Sequence, residues 1–270
     1  MTTSGRTLAL VVFALAVSTG SGRQSWAQSQ TLTAFYTAPV LAMAPMWIAK
    51  EAGFFEKQGV EVRVVFIGSG PTGTTADLAG EADVGIIGGF APIRAILGEA
   101  KSLVMIGQSK NAIVGSIVGR KEIAGVHDLK GKRLGIDRIG SNPDMFTQAA
   151  LARFQIDPMR DLQYVQLGDI GQGIPALKAG TIDAVPTSAP YDLFAQRLGF
   201  KVILDMTALK IPLASTVLVS SRNTVTRKQP ELMKFTRAYA EAVHYFLTNP
   251  EGTARIVAKY TKVEDKEVLT

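Results

Sequence analysis

Residues 31–92 of this 270-residue chain can be set above residues 131–192 without a gap, and the two segments agree. The identical pairs are Ala49/Ala149, Ala52/Ala152, Phe54/Phe154, Val65/Val165, Gly68/Gly168, Gly73/Gly173, Ala76/Ala176, Ala79/Ala179, Gly80/Gly180 and Asp83/Asp183. These ten fall within the 35 positions from 49 to 83, where chance in an Ala- and Gly-rich chain gives roughly three. Such a chain is expected to fold as two copies of one unit.

The order of elements repeats as well. Thr31–Tyr36 alternates in polarity and reads as a strand, and Pro45–Phe55 carries Trp47, Ile48, Ala52 and Phe55 at helical spacing. The β-branched run Val60–Ile67 is a second strand. A glycine loop at Gly68–Gly73, a short helix ending at Gly80 and an apolar strand at Asp83–Ile87 follow. The second copy places strands at Arg133–Ile136, Leu162–Leu167 and Ile182–Val185. Its helices are Met145–Phe154 and, after the loop Gly168–Gly173, a short one ending at Gly180. Strands separated by helices make mostly parallel sheets with right-handed crossovers. Ligands bind such sheets at the carboxyl ends of the strands, where helix N-termini also point. The expected fold class is therefore α/β with two lobes, each a mostly parallel sheet flanked by helices, and a ligand cleft between them.

Lobe one is expected to comprise residues 28–112 plus 211–270, and lobe two residues 113–210, with crossovers near Ile113–Val118 and Ile211–Ser215. Ser215–Ser221 reads as one more strand. Leu232, Phe235, Tyr239, Ala242 and Phe246 form an apolar helical stripe, expected as core packing, on a helix that begins after Gln229 and stops before Pro250. The chain ends on Val268-Leu269-Thr270 without a cap, so further C-terminal sequence is expected.

The N-terminus reads as an export signal. Arg6 precedes the apolar run Leu8–Val17, and Ser25 and Ala27 are small residues at the positions a signal peptidase reads. Ten apolar residues are too few for a bilayer span of ~20. Cleavage near Ala27 and a periplasmic location are expected, and without a twin-arginine pair, export in the unfolded state. The chain has no cysteine, which excludes disulfides, thiolate metal sites, thiol catalysis and a lipid-modified cysteine anchor. Two histidines, His127 and His244, are poor material for a metal site or a triad. The net charge of +6 is mild and scattered, so no nucleic-acid partner is expected. The glycine loop lacks the Gly-Lys-Ser/Thr ending of a nucleotide site, and there is no Gly-x-Ser-x-Gly elbow. No enzyme activity, cofactor or metal is expected.

Four phrases stand together: Trp47-Ile-Ala-Lys-Glu-Ala-Gly-Phe-Phe-Glu-Lys-Gln-Gly-Val-Glu-Val62, Leu78-Ala-Gly-Glu-Ala-Asp-Val-Gly85, Asp128-Leu-Lys-Gly-Lys-Arg-Leu-Gly-Ile136 and Ala176-Leu-Lys-Ala-Gly-Thr-Ile-Asp-Ala184. In this order and spacing the chain, over about residues 31–222, resembles the substrate-binding proteins of nitrate/sulfonate/taurine-type ABC importers. The resemblance implies a two-lobed periplasmic-binding-protein fold that closes over one small molecule and delivers it to a membrane permease. It implies a monomer with a small-molecule ligand and that permease as partners. The related thiamine-pyrimidine synthases carry a cysteine-rich motif that is missing here. A binding protein for a pyrimidine thiamine precursor, and a sensory ligand-binding module, are the alternative readings.

The candidate ligand-binding residues sit on loops after strands. In lobe one they are Tyr36, Thr37, Ala44, Pro45, Met46, Ser69, Gly70, Thr72, Gly88, Gly89 and Phe90. In lobe two they are Gly140, Ser141, Asn142, Asp169, Thr187, Ser188, Ala189 and Tyr191. Helix N-termini offer unpaired N–H groups that glycine lets a ligand approach. Ser69, Thr72, Ser141 and Asn142 can either bond a ligand or cap the helix they precede. Tyr36, Phe90 and Tyr191 can wall a ligand. Asp169 can hold an amine or cap a helix. Arg138 is the sole cation of these loops, and a solvated role is expected for it. Aromatic and apolar candidates favour a small organosulfonate or related organic acid over a heterocycle, and either over an inorganic anion.

Overall fold

The computed structural model describes Met1 and residues 31–269, so the expected export signal lies, past Met1, outside the described residues. In chain order the elements are β1 (Leu32–Tyr36), α1 (Ala44–Glu51), α2 (Phe54–Lys57), β2 (Val62–Phe66), α3 (Gly70–Leu78), β3 (Val84–Ile87), α4 (Phe90–Leu97) and β4 (Leu103–Ala112). The middle of the chain gives β5 (Ser116–Gly119), β6 (Arg133–Ile136), α5 (Asn142–Leu151), α6 (Pro158–Asp161), β7 (Gln163–Gln166), α7 (Gly173–Ala179), β8 (Ala184–Thr187), α8 (Tyr191–Arg197) and β9 (Lys201–Asp205). It closes with β10 (Pro212–Ser221), α9 (Arg222–Arg227), α10 (Gln229–Thr248), α11 (Pro250–Thr261) and α12 (Lys266–Leu269).

Two five-stranded sheets result, ordered β2-β1-β3-β10-β4 and β7-β6-β8-β5-β9. The orders are the same once β10 is matched to β5 and β4 to β9, so the hundred-residue repeat is a repeat of topology. In each sheet one strand runs against the others: β10 is antiparallel to β3 and β4, and β5 to β8 and β9. Each reversed strand follows a crossover from the other sheet. The crossovers themselves pair, Ile113 N–H donating to the Ile211 carbonyl at 3.0 Å.

The local reasons are visible at two points. The helix expected over Pro45–Phe55 divides at Gly53, whose left-handed φ of 73° ends one turn and starts α2. Most of the expected glycine loop Gly68–Gly73 is helix instead, because Ser69 caps α3 and Pro71 fits its first turn. Strands β4, β5 and β9 and helices α4 and α8 were not foreseen. Leu232, Phe235, Tyr239 and Ala242 of the α10 stripe are buried, and Phe235 stacks on Phe55 at 5.3 Å. No helix among the described residues is long and apolar enough to cross a membrane.

Candidate functional site

Loops at the strand ends bring the two sheets' lobes together. Leu41 N–H donates to the Ala189 carbonyl at 2.8 Å, and the Tyr191 hydroxyl donates to the Thr261 carbonyl at 2.9 Å. Asn142, at the start of α5, reaches across the cleft. Its carbonyl oxygen accepts the Phe90 N–H at 3.3 Å, and its amide donates to the Ser215 carbonyl at 2.6 Å. A Cβ on Gly88 would lie 2.1 Å from the Asn142 side chain, so glycine is needed there for this approach. The N–H of Phe90, a residue expected to meet a ligand, is already bonded by this chain's own amide.

Beside Asn142 lies an interlobe cavity of about 80 Å³. Of the expected residues, Thr37, Gly70, Gly88, Asn142, Thr187 and Ser188 line it. Sequence reasoning missed Lys110, Asp137, Ser215 and Thr216, which also line it. Lys110 on β4 is the register partner of Thr216 on β10, with a pairing irregularity on each side of Thr216. Such bulges re-aim side chains, which is how a strand, not a loop, comes to supply the cavity's cation. Lys110 is half-buried and makes no ion pair among the described residues. Burial pulls its ammonium down to about 8, with Asp192 opposing. Burial pushes the Asp137 carboxyl up to about 6, partly offset by the bond it accepts from the Ser141 hydroxyl. The Thr187 hydroxyl is buried without a partner among the described residues, a polar group left to satisfy.

The other expected residues fall elsewhere. Ala44, Pro45 and Met46 are buried on α1 and do not line this cavity, because that helix needs its apolar face for packing. Ser69 and Ser141 cap α3 and α5 and are almost fully buried, so the Ser69 hydroxyl is spent on its own helix and the Ser141 hydroxyl on its helix and on Asp137. Thr72 bonds Ser69 Oγ at 2.8 Å and lines a shallow hollow with the exposed Arg138. A Cβ on Gly89 would collide with the Ala214 carbonyl at 2.0 Å, and Gly140 turns the chain into α5 at φ 82°. Ala189 is held by Leu41, and Phe90 packs against the lobe-two core. Tyr36, Asp169 and Tyr191 line a second, larger groove of about 740 Å³. A wall divides the two spaces: Thr37, Ala38, Val40 and Ile170 line the first, and Tyr36, Pro39, Asp169 and Gly171 the second.

Two mixed sheets flanked by helices, with a cavity at their facing loops, define a periplasmic-binding-protein fold. The chain belongs to the NMT1-like family, whose model matches residues 36–262. It is similar to YtlA of Bacillus subtilis strain 168, whose name describes a binding protein, 24% identical over 222 residues, 80% of this chain and 66% of that one. It is also 24% identical over 266 residues to a Brachyspira hyodysenteriae protein whose name describes a periplasmic binding protein of an ABC transporter, covering 93% of this chain and 75% of that one. Solved structures show the same fold. The alkanesulfonate-binding protein SsuA of Xanthomonas axonopodis pv. citri bound to MOPS superposes with a TM-score of 0.76 at 20% identity, over 88% of this chain and 81% of that one. The periplasmic nitrate-binding protein NrtA of Synechocystis PCC 6803 gives 0.75 at 18% identity, over 87% and 68%. The chain spans about two thirds of the length of YtlA.

Proposed function

We propose that this chain is the periplasmic solute-binding component of an ABC-type importer and carries a small organic acid, a sulfonate or a related acid, in the first cavity. The carrying observation is Lys110: a half-buried cation without an ion-pair partner among the described residues, set among hydroxyls and Asn142. A single anionic group satisfies it, and the apolar walls from Phe146 and Met206 suit an organic remainder. In this reading residues 28–112 with 211–270 form one lobe and residues 113–210 the other. Their closure over the ligand presents the protein, as a monomer, to a permease. The name of the Brachyspira relative supports the importer role, and the SsuA and NrtA folds support an anionic ligand.

The test is thermal unfolding of the full chain against short alkanesulfonates, carboxylates, nitrate and pyrimidines. A ligand at a hundred times its Kd stabilises by ~2.7 kcal/mol. An organic acid should raise Tm, and Lys110→Met should abolish the rise. Stabilisation by nitrate alone, or by a pyrimidine indifferent to Lys110→Met, overturns the ligand class. A flat response to every acid in a folded protein overturns the reading.

A further inference from the structure

The second groove has its own chemistry. Its floor is aromatic: the Tyr36 ring lies 5.2 Å from Phe66 and 6.2 Å from Tyr260, and Trp47 stacks behind Tyr260 at 4.8 Å. Phe66 is 44% exposed, a large apolar ring left open at a strand end. Asp169 lines the same groove. Its carboxylate accepts a bond from Gly171 N–H at 2.9 Å and makes no ion pair among the described residues. It lies within electrostatic reach of both Tyr36 and Tyr191, whose hydroxyls are pushed up by burial first and by its charge second. The walls come from the lobe-one loops, from the length of α7, from the start of α8 and from the end of α11. Lys178 and Lys262 are the cations lining the groove, and both are exposed. Their charges are screened by solvent, whereas the half-buried carboxylate is screened less.

We propose that this groove is a second ligand site, independent of the first cavity, that takes a small arylalkylammonium: its ring lies on the Tyr36–Phe66–Tyr260 surface and its ammonium meets Asp169. An unpaired, half-desolvated carboxylate beside aromatic faces favours a cation on two counts, by charge and by the rings' negative faces. An aromatic acid would gain the rim lysines but would set its own charge against Asp169.

Isothermal titration of the full chain with phenethylammonium chloride, beside phenylacetate, tests this. Phenethylammonium should bind and phenylacetate should not. Asp169→Asn, whose side-chain oxygen can keep the Gly171 bond, should weaken the amine about tenfold, and Lys178→Gln should tighten it a few-fold. Lys110→Met should leave it unchanged, which separates this site from the first cavity. Unaltered thermal unfolding of Asp169→Asn is the folding control. Absence of heat with phenethylammonium, equal binding of phenylacetate, or an amine signal lost in Lys110→Met but kept in Asp169→Asn overturns the proposal.

Discussion

Single carboxylates show what the repeat preserves. Asp83 and Asp183 each accept an N–H from the first strand of their repeat, from Thr33 at 2.8 Å and from Arg133 at 2.9 Å. Each also carries a cation, Lys228 at 2.9 Å and Arg133 at 2.7 Å. These bonds hold the Asp183 carboxyl down to about 2. Its stabilisation is full above about pH 4 and is lost as pH falls toward 2, about 2 kcal/mol in all. Asp77 is the opposite case. It is 1% exposed, both carboxyl oxygens lack a partner among the described residues, and burial pushes it up to about 7. A raised carboxyl favours the folded state below about pH 4 and loses that favour as pH climbs through 7, at most about 4 kcal/mol. Asp137, pushed up to about 6, adds a loss of the same sign. Urea unfolding should therefore give lower stability at pH 8 than at pH 4.5. Asp77→Asn should remove more than half of that difference. An unchanged difference would mean that Asp77 is not the group that titrates.

At the scale of elements, the shared glycines report how close helix and sheet must come. A Cβ on Gly73 would lie 2.5 Å from the Phe35 ring, and one on Gly173 would lie 2.8 Å from Val185. Both glycines let the helix after the second strand lie flat on its sheet. Gly73→Ala should cost about 1–3 kcal/mol in chemical unfolding, because a core ring and not a flexible surface chain must give way. Gly80→Ala meets nothing within 4 Å and should cost about 1 kcal/mol through its φ of 76° alone. These contrasts also explain what was legible. Strands with β-branched runs, such as β2, and the helix bounded by Pro230 and Pro250 show their pattern locally. Strand β4, LVMIGQSKNA, does not; it is a strand because β10 pairs with it from more than a hundred residues away. Lys110 and Thr216 were missed for that reason: their meeting depends on a long-range register. Ser69 and Ser141 were visible as helix starts, but the sequence left open whether a ligand or the helix itself would use them.

For the whole molecule, the question is what holds the two lobes against each other. Tyr191 and Leu41 hold one side of the contact, Asn142 the other, and the first cavity lies among them. Asn142 bonds the Phe90 N–H at the start of α4 and the Ser215 carbonyl without help from a ligand, so part of the closing free energy is built into the chain. A ligand shifts the open–closed balance only by its differential affinity, and apparent affinity falls with the closed fraction. Asn142→Ala should leave each lobe folded, since the cap of α5 is Ser141. It should lower the closed fraction and weaken binding of the organic acid about tenfold. Small-angle scattering should show a larger radius of gyration that contracts when ligand saturates. The pH profile supplies the independent arm. An anion gains from protonated Lys110 and loses to ionised Asp137, so affinity should be highest below pH 6 and fall first through about 6 and again through about 8. In Asn142→Ala both steps should persist at uniformly weaker affinity, because closure and charge are separate contributions. Loss of the upper step in that variant would mean that Asn142 positions Lys110 and does not latch the lobes.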